Sequence, residues 1–356
     1  MGKQKKKYKI LIIRLSALGD IVHSFPALRH INENLQASQL DYSIDFLIYE
    51  KFRDLLIDLN FINQIHTLKD KKLSTLISIF QNLIKEKYDY VIDFQGLIKT
   101  GFISFASLAN HRVGFKEPRE KLASLFYDRP LKAHSIWDEN FHVVEHNLKL
   151  ADFFLKEFFF QELFQGKIPQ PYQKKMLIRS TKNIPLRKIV IIPCTTWETK
   201  FWPISHWVDL IEKLSINFPN ARFYFTGTPS ERKYIESISE QLLPNTYLKC
   251  SNILDKGLIG LRIFFKDADL VIGVDTGPLH LAADVLYFSD TAKILGLYGP
   301  SSGRRSGPYS FDYLSHDELF NQKATYKRKF KKAVTNTLAE IKAETVFEKI
   351  LTYSFS

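Results

Sequence analysis

Short apolar runs alternate with amphipathic stretches along most of this chain of 356 residues. The apolar runs are rich in β-formers and the stretches between them repeat their apolar positions at helical spacing. A strict alternation of strands and helices predicts parallel sheets covered by helices on both faces. The predicted strands cover residues 9–15, 43–49, 62–68, 88–96, 111–115, 187–194, 221–227, 246–250, 268–274 and 292–300. Two of the predicted helices are given only by their starts, at about residue 21 and about residue 278. The other predicted helices cover 51–59, 73–87, 97–108, 138–160, 203–218, 230–243, 258–265 and 335–353.

One segment, "QGKIPQPYQ" at residues 165–173, interrupts this alternation with proline and glutamine and without an apolar period. We therefore predict an N-terminal Rossmann-like domain at 1–165, a linker at 166–180, a second Rossmann-like domain at 181–334 and a C-terminal helix at 335–356. The fold class is α/β, with two parallel sheets that face a central cleft. Ligands of such sheets bind beyond the carboxyl ends of the strands, so the informative residues should follow the strands.

Composition and charge narrow the classes of protein to which this chain can belong. With 45% hydrophobic and 25% charged residues the chain is ordinary globular protein, and no apolar stretch reaches the roughly 18 residues that span a bilayer. Cys194 and Cys250 are too few for a disulfide framework or a metal cluster, which indicates a reducing compartment. The net charge of +12 favours an anionic partner: nucleic acid, a phosphorylated substrate or an acidic membrane face. The basic blocks at 3–9 and 327–332 are either solvated or in contact with a membrane surface.

The first candidate site is the stretch "RLSALGDIVHSFPA", which follows the first strand and holds one glycine, Gly19, and one carboxylate, Asp20. A strand-to-helix turn that binds a dinucleotide is normally rich in glycine, and an aspartate there would repel phosphate. Asp20 or Ser16 therefore either caps the helix or belongs to a site where Asp20 acts as a general base. The same half carries basic residues that could line an acceptor site for a carboxylate or phosphate, or could form a solvated face. These residues are Lys99, Arg112, Lys116, Arg119 and Lys121.

The second half carries residues suited to anion recognition, again after strands. Its stretches "PCTTWETKFWP", "TGTPSER", "GVDTGPLH" and "LYGPSSGRRSGPY" offer the hydroxyls of Thr195, Thr196 and Thr276 and the cation Lys200. Hydroxyls, a cation and backbone amides at helix starts suit a diphosphate. The alternatives are a plain turn at the threonines, a solvated Lys200, and a helix start at "DTGPLH" in which Asp275 is the cap and His280 is packed.

These stretches resemble the signatures of a known enzyme family. "RLSALGDIVHSFPAL" resembles the N-terminal signature of family 9 glycosyltransferases, the bacterial heptosyltransferases of the lipopolysaccharide inner core. "TTWETKFWP" and "GVDTGPLHLAA" followed by "LYGP" resemble the two signatures of the C-terminal half. The stretch "REKLASLFYDR", residues 119–129, is more similar to heptosyltransferase I than to heptosyltransferase II.

The resemblance implies a GT-B fold and a metal-independent, inverting transfer from ADP-L-glycero-β-D-manno-heptose to a Kdo sugar of Kdo-lipid A, with no cofactor. It makes Asp20 the general base, with Ser16, Gly19 and Arg119 on the acceptor side. Lys200 would offset charge on the departing ADP, Asp275 would bind heptose hydroxyls, and Glu231 would hold the ribose. The full donor-side set is Thr195, Thr196, Lys200, Glu231, Asp275, Thr276, Gly277 and His280.

Two departures from the family pattern concern packing. The segment "DVLYFSDTAKILG" is longer than we expect, so the strand after it should begin late, and Cys194 stands where a small residue is expected. Because no histidine accompanies Cys194 in its motif and an inverting transfer needs no covalent intermediate, we expect a packed thiol.

A lipid acceptor implies a cytoplasmic protein, peripheral on the anionic cytoplasmic face of the inner membrane. Three alternatives stay open: heptosyltransferase II or another family 9 enzyme with a different donor or acceptor, a basic nucleic-acid-binding protein, and an inactive sugar-binding protein. We expect no nucleic-acid partner, because basic residues interleaved with aromatics are not evident. The presence of both Asp20 and Lys200 conflicts with an inactive protein.

Overall fold

The computed structural model describes residues 7–70, 72–132, 138, 140–164, 185–322, 336–353 and 355. The chain divides into two compact units, Met1–Lys174 and Lys175–Ser356. The linker predicted at 166–180, the domain boundaries at its two ends and at 334, the basic block at 327–332 and residues 3–6 of the first basic block lie outside the described residues. No helix in the described ranges is long and apolar enough to cross a membrane.

The first unit contains, over its described residues, a six-stranded sheet with the strand order β3-β2-β1-β4-β5-β6. All five strand pairs are parallel. The strands are β1 Tyr8–Ile13, β2 Tyr42–Tyr49, β3 Ile62–Leu68, β4 Tyr90–Asp93, β5 His111–Phe115 and β6 Arg129–Leu131. The helices are α1 Leu18–Val22, α2 Phe25–Ala37, α3 Leu73–Glu86, α4 Ile98–Ala106 and α5 Val143–Phe164.

The described part of the second unit repeats this plan, with the order β12-β11-β10-β7-β8-β9 and parallel pairing throughout. Its strands are β7 Lys188–Ile192, β8 Arg222–Gly227, β9 Cys250–Leu254, β10 Leu270–Val274, β11 Lys293–Tyr298 and β12 Asp312–Ser315. Its helices are α6 Ile204–Asn217, α7 Arg232–Ser239, α8 Pro244–Tyr247, α9 Gly257–Phe265, α10 Gly277–Val285, α11 Gly303–Ser306, α12 His316–Leu319 and α13 Ala343–Leu351.

In both units the strand order reverses between the first and the fourth strand, as it does in dinucleotide-binding sheets. β1 therefore lies beside β4, with Ile13 opposite Asp93, and β7 lies beside β10, with Ile192 opposite Gly273. The residues of β1 from Ile10 to Ile13 have no exposed surface, because the strand is central and covered on both faces. Loops that leave these central strands start from a rigid edge, which is where ligand sites of this topology form.

Several predicted elements differ in the structure. The strand predicted at 246–250 is Cys250–Leu254, because Pro244 fits the first turn of α8 and that helix occupies the chain up to Tyr247. The helix predicted at 51–59 is a 3₁₀ helix, Glu50–Leu56, and the helix predicted at 138–160 is Val143–Phe164. The strands Arg129–Leu131 and Asp312–Ser315 were not predicted, because three or four residues are too few to show an alternating pattern.

The single C-terminal helix predicted at 335–356 is also wrong. A 3₁₀ helix, Thr337–Glu340, precedes α13, and Ile341 between them has extended backbone. The Ile341 carbonyl accepts a 2.8 Å hydrogen bond from Nε1 of Trp202, a side chain with no exposed surface. This tertiary bond uses a carbonyl that a continuous helix would have needed for its own ladder.

Candidate active site

In the first unit, two loops leave the carboxyl ends of β1 and β4 side by side. The loop after β1 leads to α1, whose N-cap is Ala17 and whose third residue is Asp20. The loop after β4 contains Gln95. We call Arg14, Asp20, Gln95 and Arg119 the Asp20 cluster.

Two arginines bind the Asp20 carboxylate. Arg119 donates from Nη2 to Oδ1 at 2.6 Å and from Nη1 to Oδ2 at 3.0 Å, a bidentate pair. Nη2 of Arg14 lies 3.1 Å from the same Oδ1, and Nη1 of Arg14 donates to the Phe94 carbonyl. The Arg14 side chain is 1% exposed, that of Arg119 11% and that of Asp20 24%. Arg119 was predicted to face an acceptor. In the structure its guanidinium is instead bound to Asp20, the residue predicted to be the base.

The two guanidiniums set the charge state of Asp20. Burial opposes ionisation of this carboxyl, but Arg119 and then Arg14 outweigh it and hold the pKa of Asp20 well below its usual range. Burial, partly offset by Asp20, lowers the pKa of Arg14 to about 10. Asp20 is therefore a carboxylate at neutral pH, and its basicity is weak for as long as both arginines hold it.

The structure also supports part of the interpretation that this turn caps a helix. Oδ2 of Asp20 accepts a 3.3 Å hydrogen bond from the Ala17 N–H, the contact that the third residue makes in a capping box. Ser16 is not the cap; its hydroxyl accepts a 3.3 Å bond from Nε2 of Gln95. Gly19 accepts the N–H of His23 through its carbonyl. A cap alone does not require two arginines, so capping does not account for the ion pairs of Asp20.

Gln95 and Asp93 were not predicted as site residues, yet they hold the Asp20 turn in place. Oε1 of Gln95, a side chain that is 2% exposed, accepts the N–H groups of Leu15 and Ser16 at 2.6 and 3.3 Å. Asp93 accepts the N–H of Gln95 at 2.8 Å and the hydroxyl of Tyr127 at 2.6 Å. Burial raises the pKa of Asp93. The available signal was "DFQG" at the end of the strand predicted at 88–96, but only the strand order shows that this loop meets the Asp20 turn.

The other predicted basic residues bind elsewhere or face solvent. Nε of Arg112 donates to the Phe126 carbonyl at 3.0 Å, and Nζ of Lys99 donates to the Tyr49 hydroxyl at 3.0 Å. Lys116 and Lys121 are exposed. Of the five basic residues that could line an acceptor site, Arg119 is the one that the structure brings to Asp20.

The second unit builds a site on the same edge of its sheet. Lys200 ends the 3₁₀ helix Glu198–Lys200 that follows β7, and Asp275 directly follows β10. His280 lies in α10 and Ser301 follows β11. We call these four residues the Asp275 cluster. Nζ of Lys200 lies 2.5 Å and Oγ of Ser301 2.6 Å from Oδ2 of Asp275, and Nε2 of His280 lies 3.7 Å from Oδ1. Ser301 was not predicted; its signal was a serine directly after "LYGP".

These contacts fix the charge state of Asp275. Burial opposes its ionisation, but Lys200 and His280 outweigh burial and hold the pKa of Asp275 below its usual range. The predicted sugar-binding carboxylate and the predicted diphosphate-binding cation are therefore bound to each other. Thr195 adds a hydrogen bond of 3.3 Å from Oγ1 to the Asp275 carbonyl, whereas Thr196 is exposed.

The start of α10 corrects the alternative in which Asp275 caps this helix. Its N-cap is Thr276 rather than Asp275, and Gly277 and Pro278 form the first helical positions. Proline at a first turn removes an N–H that would have no partner there. The remaining amides at this end of a nine-residue helix suit an anionic ligand.

Glu231 and Cys194 have local roles in the structure. Oε2 of Glu231 accepts bonds from the N–H and the hydroxyl of Thr228 at 2.7 and 2.9 Å, a capping box over the 3₁₀ helix Pro229–Glu231. Cys194 is 4% exposed within the core of the second unit. Burial, followed by the nearby Glu231, raises its pKa to about 12. The prediction of a packed thiol is confirmed, and ribose binding by Glu231 stays a prediction.

Comparison with known proteins decides the family. Residues 76–334 match the model of glycosyltransferase family 9 (heptosyltransferase). The chain belongs to glycosyltransferase family 9. It is 30% identical over 290 residues to lipopolysaccharide heptosyltransferase 1 of Campylobacter coli, which covers 77% of this chain and 80% of that protein. The enzyme of the same name from Escherichia coli K12 is 26% identical over 328 residues, 85% of this chain and 91% of its own.

Solved structures agree on the fold. E. coli heptosyltransferase WaaC with ADP has a TM-score of 0.71 at 22% identity and covers 97% of this chain and 99% of its own. E. coli ADP-heptose lipopolysaccharide heptosyltransferase II has a TM-score of 0.69 at 19% identity, with 97% and 98% covered. The predicted GT-B fold class with two Rossmann-like units is confirmed.

This family 9 chain is a glycosyltransferase, so the enzyme class predicted from its motifs is confirmed against the nucleic-acid-binding alternative. In the part of the chain that the structure describes, no group of three or more histidine, cysteine, aspartate or glutamate residues is arranged to hold a metal ion. Metal independence and the lack of a cofactor stay predictions.

Proposed function

We propose that this family 9 glycosyltransferase is a lipopolysaccharide heptosyltransferase of type I. It transfers L-glycero-D-manno-heptose from ADP-heptose to a Kdo sugar of Kdo-lipid A, without a metal ion and with inversion at the anomeric carbon. Support for a type I lipopolysaccharide heptosyltransferase comes from the relatives named lipopolysaccharide heptosyltransferase 1, which align over most of their length. The donor is also supported by the solved WaaC structures with ADP and with ADP-2-deoxy-2-fluoro heptose.

One observation carries the mechanism: the bidentate Arg119 pair on the carboxylate of Asp20. In the proposed step, an acceptor hydroxyl oxygen bonds to the anomeric carbon of the heptose while its proton passes to Asp20. The bond from that carbon to the β-phosphate oxygen breaks, and its electron pair leaves with ADP. A base for this step must be ionised beforehand and within hydrogen-bond reach of the hydroxyl. The lowered pKa of Asp20 supplies the first condition.

Arg119 gives the acceptor a means of strengthening that base. Kdo carries a carboxylate, and a second carboxylate competes with Asp20 for the planar donor pair of Arg119. When Arg119 turns to the acceptor, Asp20 keeps Arg14 and loses its stronger partner, so its pKa rises and it accepts a proton more readily. Acceptor binding would in this way switch on the base only when a hydroxyl is present to be deprotonated.

The Asp275 cluster supports an analogous exchange with the donor. A diphosphate competes with Asp275 for Lys200, and the lysine then offsets the charge that develops on ADP. Asp275, released from Lys200 and still bound by Ser301, accepts hydrogen bonds from heptose hydroxyls. The α10 amides from Gly277, with Thr195, Thr196, Thr276 and His280, line the diphosphate and sugar site, and Glu231 holds the ribose.

The reaction belongs, on this proposal, to the cytoplasmic face of the inner membrane, because its acceptor is a lipid. The decisive experiment is a transfer assay read by mass spectrometry, with purified protein, ADP-heptose and Kdo₂-lipid A. Parallel reactions contain a chelator, the Asp20→Asn variant, the matched surface variant Asp70→Asn, or an acceptor that already bears one heptose.

The expected result is addition of one heptose to the unmodified acceptor, which chelator and Asp70→Asn leave unchanged and Asp20→Asn slows about a hundredfold or more. Transfer to the heptosylated acceptor alone would contradict the type I assignment and assign the protein to heptosyltransferase II. No transfer to either acceptor would refute the proposed donor and acceptor. Loss of transfer on chelation would refute metal independence.

A further inference from the structure

The outward face of α4 is apolar, although surface helices normally present polar residues to solvent. Ile98, Phe102 and Phe105 follow one another at helical spacing and are all exposed, while the other face of α4 is buried. Leu108, just beyond the helix, is 66% exposed. Large apolar side chains clustered on a surface are typical of an interaction site.

A second element extends this face. The 3₁₀ helix Lys121–Phe126 presents Leu122 at 59% and Leu125 at 77% exposure. It lies directly on α4: a Cβ at Gly101 would come within 2.8 Å of the Phe126 ring. The Phe126 ring in turn lies 6.1 Å from that of Phe102 and 6.2 Å from that of Phe105, centroid to centroid. We call Ile98, Phe102, Phe105, Leu108, Leu122 and Leu125 the apolar patch.

Basic side chains border part of the apolar patch. The segment 97–132, which supplies the patch, contains seven lysines and arginines against three acidic residues. Arg112 lies over the Phe105 ring at 5.5 Å, and the exposed Lys121 immediately precedes Leu122. Large apolar side chains with a basic rim match the interface of an anionic bilayer, where acyl chains meet negative headgroups.

The apolar patch adjoins the Asp20 cluster through the loop that carries Arg119. The neighbouring Glu120 accepts the Ile98 N–H at 2.7 Å through its carboxylate, and its own N–H donates to the Gly96 carbonyl at 3.0 Å. Both helices of the patch therefore begin next to the arginine that holds the base. A protein docked by this patch would keep Asp20 close to the headgroup layer.

We propose that the apolar patch docks this protein on anionic lipid bilayers, with Leu122 and Leu125 entering the headgroup region. This inference rests on the proposed function, since a lipid-linked acceptor gives the docking its purpose. It differs from the effect of net charge alone, because it assigns membrane binding to one face of the first unit.

Flotation of the full-length protein with acceptor-free vesicles tests the assignment. The vesicles are phosphatidylcholine alone or phosphatidylcholine with phosphatidylglycerol. The double variant Leu122→Asp/Leu125→Asp should lose about tenfold or more of its binding to anionic vesicles, since two leucine side chains no longer enter the interface. The control Leu248→Asp removes a leucine that is 74% exposed in the second unit, and it should bind as the unmodified protein does. Equal unfolding curves establish that both variants are folded.

Transfer to a delipidated, water-soluble acceptor separates this proposal from the proposed function. The double variant should retain that turnover, because neither leucine belongs to the Asp20 cluster. Unchanged flotation of the double variant would overturn the docking surface, as would a dimer that the double variant converts to a monomer while vesicle binding persists. If flotation behaves as expected but no heptose is transferred, the docking surface stands and the proposed substrates fail.

Discussion

The Asp20 and Asp275 clusters lie at the strand-order reversals of two sheets with the same plan. They differ in which of the two central strands is followed by the carboxylate. In the first unit the carboxylate follows the first strand, and the supporting Gln95 follows the fourth. In the second unit the cation Lys200 follows the first strand, and the carboxylate Asp275 follows the fourth. The same edge thus positions a carboxylate with two guanidiniums in one case and with an ammonium, an imidazole and a hydroxyl in the other.

On the proposed function, this difference indicates which cation a ligand would displace from its carboxylate. Arg14 extends from the end of β1, is 1% exposed and also binds a backbone carbonyl, so it belongs to the scaffold. Arg119 comes from a loop and Lys200 ends a short 3₁₀ helix, and their side chains are 11% and 14% exposed. A planar guanidinium matches a carboxylate in two bonds, whereas an ammonium acts as a point charge toward phosphate. On the proposed function, the cation that would bind the ligand is held by a carboxylate in each cluster until the ligand displaces it.

The largest expected effect follows from removing the charge of Asp20. Asp20→Asn should lower kcat about a hundredfold or more, the size of a positioned general base. The matched control is Asp70→Asn, because Asp70 likewise accepts a backbone N–H, that of Lys72 at 2.9 Å, ahead of a helix. Turnover within a few-fold of the unmodified enzyme, with an unchanged unfolding curve, would remove Asp20 as the base.

A pair of substitutions in the Asp275 cluster tests the idea of a stored cation. Lys200→Met should weaken ADP binding about tenfold or more, since a charge-assisted contact to phosphate is lost. Asp275→Asn should bind ADP as tightly as the unmodified protein or more tightly, because Lys200 is released. Calorimetric titration measures both. Equal weakening by the two substitutions would mean that the ion pair itself, rather than free Lys200, binds the nucleotide.

Gln95→Leu tests whether the loop after β4 holds the Asp20 turn in place. It leaves the Leu15 and Ser16 N–H groups without their acceptor and should lower the free energy of unfolding by about 1–3 kcal/mol. Displacement of Asp20 should also lower kcat about tenfold. Gln81→Leu, at an exposed glutamine of α3, is the control. A stable but slow Gln95→Leu enzyme would still support positioning, whereas unchanged kcat and stability would refute it.

The smallest effect concerns acid stability. Asp20 and Asp275 have folded pKa values below those of the unfolded chain, so their stabilisation is present above the ordinary carboxyl pKa and is lost as pH falls through and below it. Asp93 has a raised pKa and acts in the opposite sense. The free energy of unfolding should fall between about pH 5 and about pH 3 by an amount on the order of 1 kcal/mol for each paired carboxylate.

Urea unfolding over this range measures the effect, and Asp275→Asn should flatten the curve. The substitution removes one carboxylate whose protonation couples to unfolding, while Asp20 still titrates. An identical pH dependence in Asp275→Asn and the unmodified protein would contradict the lowered pKa of Asp275.

The sequence by itself determined the α/β class, the repeated alternation, and the motifs that contain Asp20, Lys200 and Asp275. These are properties of neighbouring residues: the side-chain period of strands and helices, and the residue types that follow a strand. The same local signals failed at Pro244 and at Ile341, where a proline turn and a tertiary hydrogen bond overrode the apolar pattern.

Only the tertiary structure decided which residues meet. Arg119 binds Asp20 across 99 positions of chain, Gln95 holds Leu15 across 80 and Lys200 binds Asp275 across 75. The reversal of strand order places the first strand beside the fourth in each sheet, and that pairing brings distant loops to one edge. Periodicity carries no information about strand order, so the sequence could identify the charged residues but not that each carboxylate is already bound to a cation.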